Sequence, residues 1–312
     1  MIGMFWNRIS ILIALLFGLA ACSSESSGPY VDHSVLIDTK TWTVDQKQLE
    51  PFVYIDLRSP ELYNQGHLPG AINLTRSDIR KKNSNFSGMA LGADSLSLLL
   101  GDKGISSDDW LILYDEKGGV EASRLWWLFR VYGHERVKIL NGDFHLFNED
   151  METRFTPRES HNFAFTGKPE TDWVVNYGEF ERMRAKPSTK LLDCRSAPEY
   201  NGEYIKQGAY LEGHIDGAIN ICYSNTVEKV SEGNLKVKSP EELLKIYSDF
   251  AQPEDTILVY CQSGVRSAHT LMVLREILNY KHVYNFDGSW IEWSYRNQNM
   301  PSGRVESNDK IL

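Results

Sequence analysis

The nine residues "GHLPGAINL" at 66–74 return as "GHIDGAINI" at 213–221. Upstream of each copy, "YIDLRSPELY" at 54–63 is matched by "LLDCRSAPEY" at 191–200. In the second copy these two motifs stand farther apart, because an insertion, "NGEYIKQGAYLE" at 201–212, lies between them. Downstream, "WLILYDEKGGVEASR" at 110–124 matches "TILVYCQSGVRSA" at 256–268, and "VKILNGDFHLF" at 137–147 matches "VYNFDGSWIEW" at 283–293. Four motifs in one order mark a duplicated unit, and a chain of 312 residues has room for two domains. The polar stretch 152–172, with Pro and Gly, reads as the joint between them. The expected organisation is a first domain over 34–150, a linker over 151–172 and a second domain over 173–305.

Each copy alternates short apolar runs with amphipathic stretches. Phe52–Leu57, Leu111–Tyr114, Lys190–Leu192 and Ile257–Tyr260 read as buried strands. Ala122, Leu125, Trp126 and Phe129 fall on one helical face, as do Ala268, Leu271, Leu274 and Leu278. This alternation predicts an α/β fold in which each domain is a mainly parallel sheet flanked by helices. Ligands then bind beyond the carboxyl ends of the strands. Cys261, Asp193 and Arg195 stand at such ends.

A formal net charge of −9 and a sequence pI near 5.4 argue against a nucleic-acid surface. Residues 1–21, with Arg8 before the apolar run "ISILIALLFGLAA", read as a targeting segment too short for a comfortable membrane span. The run closes in "LAAC", which resembles the bacterial lipoprotein box and implies lipidation of Cys22. Ser23 after that cysteine resembles the enterobacterial pattern for outer-membrane sorting. Residues 22–33 then form a flexible tether. These features predict a lipid-anchored protein of the bacterial cell envelope, in the outer membrane facing the periplasm. The other cysteines are Cys194, Cys222 and Cys261, an odd number, so one thiol is expected to stay unpaired for chemistry. No Cys/His spacing suggests a metal, and no organic cofactor is implied.

Cys261 has the setting of a nucleophile. It opens the loop Gln262, Ser263, Gly264, Val265, Arg266, between a predicted strand and a predicted helix. Such a loop turns backbone N–H groups inward as an anion nest, and the helix N-terminus adds its positive end. Both favour the thiolate, which is the reactive form of cysteine. Gly264 permits a backbone that a side chain would obstruct. Asp193 and Arg195 are expected to organise the site through a charge-assisted bond.

Together these motifs resemble the tandem-domain rhodanese family, the thiosulfate and 3-mercaptopyruvate sulfurtransferases, over about residues 34–300. The "GHxxGAIN" pair and "DGSWIEW" match the family's signatures, and "RLWWLFRVYGH" at 124–134 is similar to its non-catalytic first domain. The resemblance implies that Cys261 carries a persulfide taken from thiosulfate and gives it to a thiol or cyanide. The Cys-x4-Arg spacing is that of the sulfurtransferases, whereas the related phosphatases have Cys-x5-Arg. Asp115 aligns with Cys261, and Val120 with Arg266, so the first copy is expected to be catalytically silent. Glu199 replaces a substrate-binding arginine of the vertebrate-type thiosulfate enzymes. His67, His214, Trp290 and Trp293 are read as structural, and Cys194 and Cys222 as packing residues with a resolving role as the alternative. Two other functions stay open: 3-mercaptopyruvate as the donor, and a sulfur-binding or interaction module without turnover.

Overall fold

Aliphatic and aromatic runs build two five-stranded sheets of one design in the computed structural model, which describes residues 35–42, 51–82, 84–143, 146 and 151–298. The first sheet comprises β1 (Leu36–Asp38), β2 (Phe52–Asp56), β3 (Ile72–Asn73), β4 (Trp110–Tyr114) and β5 (Val137–Asn141). Its order is β1-β5-β4-β2-β3, with every pairing parallel. The second copy supplies β6 (Val174–Val175), β7 (Thr189–Asp193), β8 (Ala218–Asn220), an extra antiparallel hairpin of β9 (Val227–Ser231) and β10 (Asn234–Val237), then β11 (Thr256–Tyr260) and β12 (His282–Phe286). The second sheet runs β6-β12-β11-β7-β8, again wholly parallel. Corresponding strands hold corresponding places, as the sequence repeat requires. Cys22, the leader and the tether lie outside the described residues, as do residues 299–305 at the end of the expected second domain.

The central strands are buried on both faces, which is why they read as unbroken apolar runs: Ile55, Leu111, Leu113, Ile257 and Val259 are fully enclosed. The helix Val120–Tyr132 packs against the helix Val265–Met272 of the other copy. Trp126, Trp127, Leu128 and Phe129 are therefore all buried, more of the circumference than one sheet would cover. A single apolar core continues from Ile55 and Trp126 to Ile257 and Leu271.

Each copy also lends the other an arm. Residues 84–92 of the first copy lie against the Cys261 loop, where Gly88 abuts Ser263 and the Ala90 N–H donates to Asp287 Oδ2 at 2.9 Å. The equivalent stretch of the second copy is the β9–β10 hairpin. It lies on the first copy's Asp115 loop: Leu235 N donates to Glu116 O at 3.0 Å, and Val237 N to Asn141 Oδ1 at 2.7 Å. The stretch read as a linker lies along the first copy, with His161 N bonded to Gly101 O and Phe163 buried beside Phe129 and His134.

Candidate active site

Cys261 sits at the carboxyl end of β11 and is only 1% exposed. Gly264 has φ +77°, which turns the chain into the helix Val265–Met272. A Cβ at Gly264 would lie 2.8 Å from Asp287 O, so the close approach also demands glycine. Buried Ser289 holds the loop from below. Its Oγ accepts the N–H of Cys261 at 3.2 Å and that of Gly264 at 3.0 Å, and its hydroxyl donates to Phe286 O at 2.8 Å. Ser289 is itself in the left-handed region, φ +49°, a conformation that costs a non-glycine residue on the order of 1–3 kcal/mol.

The sulfur faces donors. Ser267 Oγ lies 3.5 Å from Cys261 Sγ, and the N–H groups of Ser267 and Ser263 also point to it. Burial pushes the thiol pKa up; the Arg266 charge, the Ser267 hydroxyl and these N–H groups outweigh it and leave the pKa below the ordinary thiol value. The arrangement stabilises an anion on sulfur while keeping bulk water away.

Arg266 does not stand free above the thiol. Its Nη1 and Nη2 donate to the two oxygens of Glu199 at 2.6 and 2.8 Å. Glu199 also caps the short helix Ala197–Asn201 through Ser196. Burial raises the Glu199 pKa, but Arg266 and Ser196 hold it down to about 2, so it is ionised throughout the neutral range. Asp193 and Arg195 form the expected pair, with Arg195 Nη2 bonded to Asp193 Oδ2 at 2.6 Å and to Gly213 O at 2.7 Å. Arg195 also lies over Trp290, 4.4 Å from the ring centre, and both groups are buried. This pair braces the strand ends, and Asp56 and Arg58 repeat it in the first copy.

The insertion at 201–212 closes the other side. Gln262 Nε2 donates to the carbonyls of Lys206 and Gln207 at 3.5 and 3.3 Å, clasping the insertion to the loop. Lys206 is thereby brought near Cys261. Burial and the charges of Arg266 and Arg76 lower its pKa, against the attraction of Glu199 and Cys261. From the first copy, Arg124 donates to Asp287 Oδ1 at 2.5 Å, to Gly264 O at 3.2 Å and to Gly88 O at 3.1 Å.

The first copy's loop holds an anion of its own. Asp115 Oδ1 accepts N–H bonds from Lys117 and Gly119, and Oδ2 from Glu121 and Ala122, all at 2.8–3.0 Å. Burial raises its pKa to about 6 against the pull of those donors. Gly119, φ +80°, matches Gly264 as the residue before the helix, so the loop from Asp115 is one residue longer than that from Cys261. The counterpart of Arg266 is therefore Glu121, not Val120. The β9–β10 hairpin covers this loop so closely that a Cβ on Gly118 would lie 2.6 Å from Val227 Cγ1.

His67 and His214 are structural: each Nδ1 meets the backbone carbonyl of a tyrosine, Tyr63 or Tyr200, on whose ring the imidazole stacks. Trp290 and Trp293 stack in the second copy's core. Cys194 is fully buried, its thiol pushed up by burial, whereas Cys222 is half-buried with its sulfur 3.1 Å from Ser224 Oγ. Sequence reasoning gave no role to Ser289, Ser267, Lys206 or Arg124. The signals present were the "DGS" turn and a lysine inside the insertion.

The family described as Rhodanese-like domain matches twice, at residues 39–150 and 176–296. A Mycolicibacterium smegmatis protein called putative thiosulfate sulfurtransferase is 31% identical over 270 residues, 83% of this chain and 94% of that protein. The thiosulfate sulfurtransferase of Corynebacterium glutamicum is 31% identical over 242 residues, 74% of this chain and 78% of the relative. Among solved structures, SseA from Escherichia coli, described as a 3-mercaptopyruvate sulfotransferase, superposes with a TM-score of 0.69 at 24% identity, over 82% of this chain and 99% of its own.

Proposed function

This chain belongs to the tandem-domain rhodanese family of sulfurtransferases, and on that premise we propose that it moves sulfane sulfur from thiosulfate to a thiol or cyanide through a persulfide on Cys261. The Cys261 thiolate attacks the outer sulfur of thiosulfate, the S–S bond of the donor breaks, and sulfite leaves with the bonding pair. An acceptor thiolate then attacks the outer sulfur of the persulfide and returns Cys261 to the thiolate. The observation that carries this reading is the pair of loops. Where the first copy's nest surrounds the carboxylate of Asp115, the second copy's nest turns the Ser263 and Ser267 N–H groups and the Ser267 hydroxyl toward a sulfur. Lys206 and Arg266 place positive charge beside it, which suits a small dianion.

Steady-state assays with thiosulfate and with 3-mercaptopyruvate test the donor, and peptide mass spectrometry after thiosulfate treatment tests the carrier. The extra sulfur is expected on the Cys261 peptide and absent from Cys261→Ser. A higher efficiency with 3-mercaptopyruvate would overturn the donor, and an adduct surviving in Cys261→Ser would overturn the carrier. We also propose that Cys22 anchors the protein to the envelope, a reading supported by "LAAC" at 19–22. Expressed in a bacterial host, Cys22→Ser should move from the membrane pellet to the soluble fraction. Retention in the pellet would refute the anchor.

A further inference from the structure

Arg124 of the first copy is buried against the Cys261 loop and joins three separate segments. Its Nη1 donates to Gly264 O at 3.2 Å, and its Nη2 to Gly88 O of the arm at 3.1 Å and to Asp287 Oδ1 at 2.5 Å. Gly264 is thereby gripped through both of its backbone polar groups. Ser289 Oγ takes its N–H at 3.0 Å, while Arg124 and Asn285 Nδ2, the latter at 3.3 Å, share its carbonyl. The other oxygen of Asp287 takes the Ala90 N–H. Stability alone does not account for a buried guanidinium and carboxylate here, since apolar side chains of like volume often serve as well or better.

The repeat supplies the contrast. Arg124 and His269 each stand five positions after the turn glycine of their own copy, Gly119 and Gly264, and each is turned toward the other copy. His269 Nδ1 lies 3.4 Å from Ser123 Oγ, whose hydroxyl donates to Gly119 O. Asn141 and Asp287 correspond in the same way, and each takes an N–H from the other copy's arm, that of Val237 at 2.7 Å and that of Ala90 at 2.9 Å. The silent loop is thus met by a histidine and an asparagine, the catalytic loop by an arginine and an aspartate. The two loops differ in what they need. Asp115 accepts four N–H bonds and so fixes its own loop. Sulfur is a weak acceptor, with the Ser267 hydroxyl 3.5 Å from Cys261 Sγ, so the Cys261 loop must be held from outside. We propose, resting on the sulfurtransferase reading above, that Arg124 is a positioning residue for the persulfide reaction. By joining Gly264, Gly88 and Asp287, its planar fork holds the loop in the shape that aims the Ser263 and Ser267 N–H groups at the sulfur. The silent copy thereby acquires a task in the chemistry of the other.

The test compares the parent with Arg124→Met, with the double variant Arg124→Met/Asp287→Asn, and with Leu128→Ala, a fully buried position on the same helix. Single-turnover loading from thiosulfate and the pH dependence of Cys261 alkylation by iodoacetamide, followed on its peptide, are read beside urea denaturation. Arg124→Met strands the Asp287 carboxylate and should lose stability. The double variant removes both charges, keeps an acceptor for the Ala90 N–H, and should recover that stability. The maximal loading rate should fall about tenfold in both, the scale of one lost charge-assisted contact, with half-saturation by thiosulfate within about threefold of the parent. The alkylation pKa of Cys261 should rise in both. Leu128→Ala should be destabilised yet keep the parent's loading rate and alkylation pKa. Parent-like loading in the double variant would overturn the proposal, as would equal slowing in Leu128→Ala, because either result leaves Arg124 a part of the fold alone. If the parent takes up no sulfur, the sulfurtransferase reading fails. A raised alkylation pKa in the double variant would then still support the brace, and an unchanged one would refute it.

Discussion

Arg266 gives both terminal nitrogens to the carboxylate of Glu199, at 2.6 and 2.8 Å, while its charge still favours the Cys261 thiolate. The cation that a dianionic donor would seek is thus partly neutralised by a residue that is ionised at every pH above about 2. Glu199→Gln keeps an oxygen for Arg266 and removes the opposing charge. The efficiency with thiosulfate should rise about five- to tenfold, on the order of 1 kcal/mol in transition-state energy, and more than with singly charged 3-mercaptopyruvate. Stability should fall by about 1–3 kcal/mol, because a strong buried ion pair has been weakened. A drop in efficiency with both donors would show that Glu199 aligns Arg266 and does not temper it.

The first copy's arm presses on the Cys261 loop. Gly88 has φ +90°, and a Cβ there would lie 2.5 Å from Ser263 Cβ, inside the Cys261 loop. Gly88→Ala should therefore slow persulfide loading about tenfold or more, by displacing the N–H of Ser263 from the sulfur. Gly70 is the control: it too has positive φ, +66°, but nothing lies within 4 Å of its would-be Cβ. Gly70→Ala should lose about 1 kcal/mol of stability and keep its loading rate. Equal loading rates for the two variants would mean that the arm does not shape the site.

The duplication, the parallel sheets and the Cys261 loop were readable because each is written in contiguous residues, in apolar runs such as Ile257–Tyr260 and in the Cys-x4-Arg spacing. What escaped depends on contacts between distant segments. Ser289 supports Cys261 from 28 positions away, and its hydroxyl is ordinary in sequence. The arms 84–92 and β9–β10 occupy equivalent places yet share no pattern, because each is shaped by the other copy. The adjacent Gly118 and Gly119 hid the extra residue in the Asp115 loop; only their backbone angles and the helix start show that Glu121 faces Arg266 across the repeat.

Acid should weaken the fold in a defined window. Burial lowers the pKa of His269 to about 4, and that of His134 also to about 4. His269 lies between Ser123 of the first copy and Thr226, 2.9 Å from the latter. For both, the folded value lies below the ordinary 6.5, so the unfolded chain takes up protons first. Their contribution is complete above pH 6.5 and is lost as pH falls toward 4. Asp115 acts in the opposite sense: its pKa of about 6 exceeds the ordinary 3.8, so its contribution is present below 3.8 and is lost as pH rises through 6. Two imidazoles outweigh one carboxylate, and urea denaturation should show lower stability at pH 5 than at pH 7.5. His269→Gln should remove about 2–3 kcal/mol of that dependence. An unchanged pH profile in the variant would mean that His269 is already solvated.

Ser289 provides the sharpest test of how the loop is held, because its backbone and its hydroxyl can be separated. The hydroxyl accepts from Cys261 N and Gly264 N, two enclosed donors with no solvent to replace it. Ser289→Ala leaves both unsatisfied, at a cost of about 1–3 kcal/mol each when buried. The loop should relax to recover partners, carrying the N–H groups of Ser263 and Ser267 away from the sulfur. Thiol reactivity follows that geometry, so the Cys261 pKa should rise and persulfide loading should slow at least about tenfold. The left-handed φ of Ser289 adds a separate strain that Ser289→Gly relieves. The glycine variant should therefore be more stable than the alanine variant by about 1 kcal/mol, yet load sulfur as slowly. Thiolate absorbance near 240 nm against pH and single-turnover loading from thiosulfate give the two readouts. If the glycine variant loads at the parent rate, backbone freedom at this turn is what the loop requires, and the hydroxyl of Ser289 holds nothing that the reaction needs.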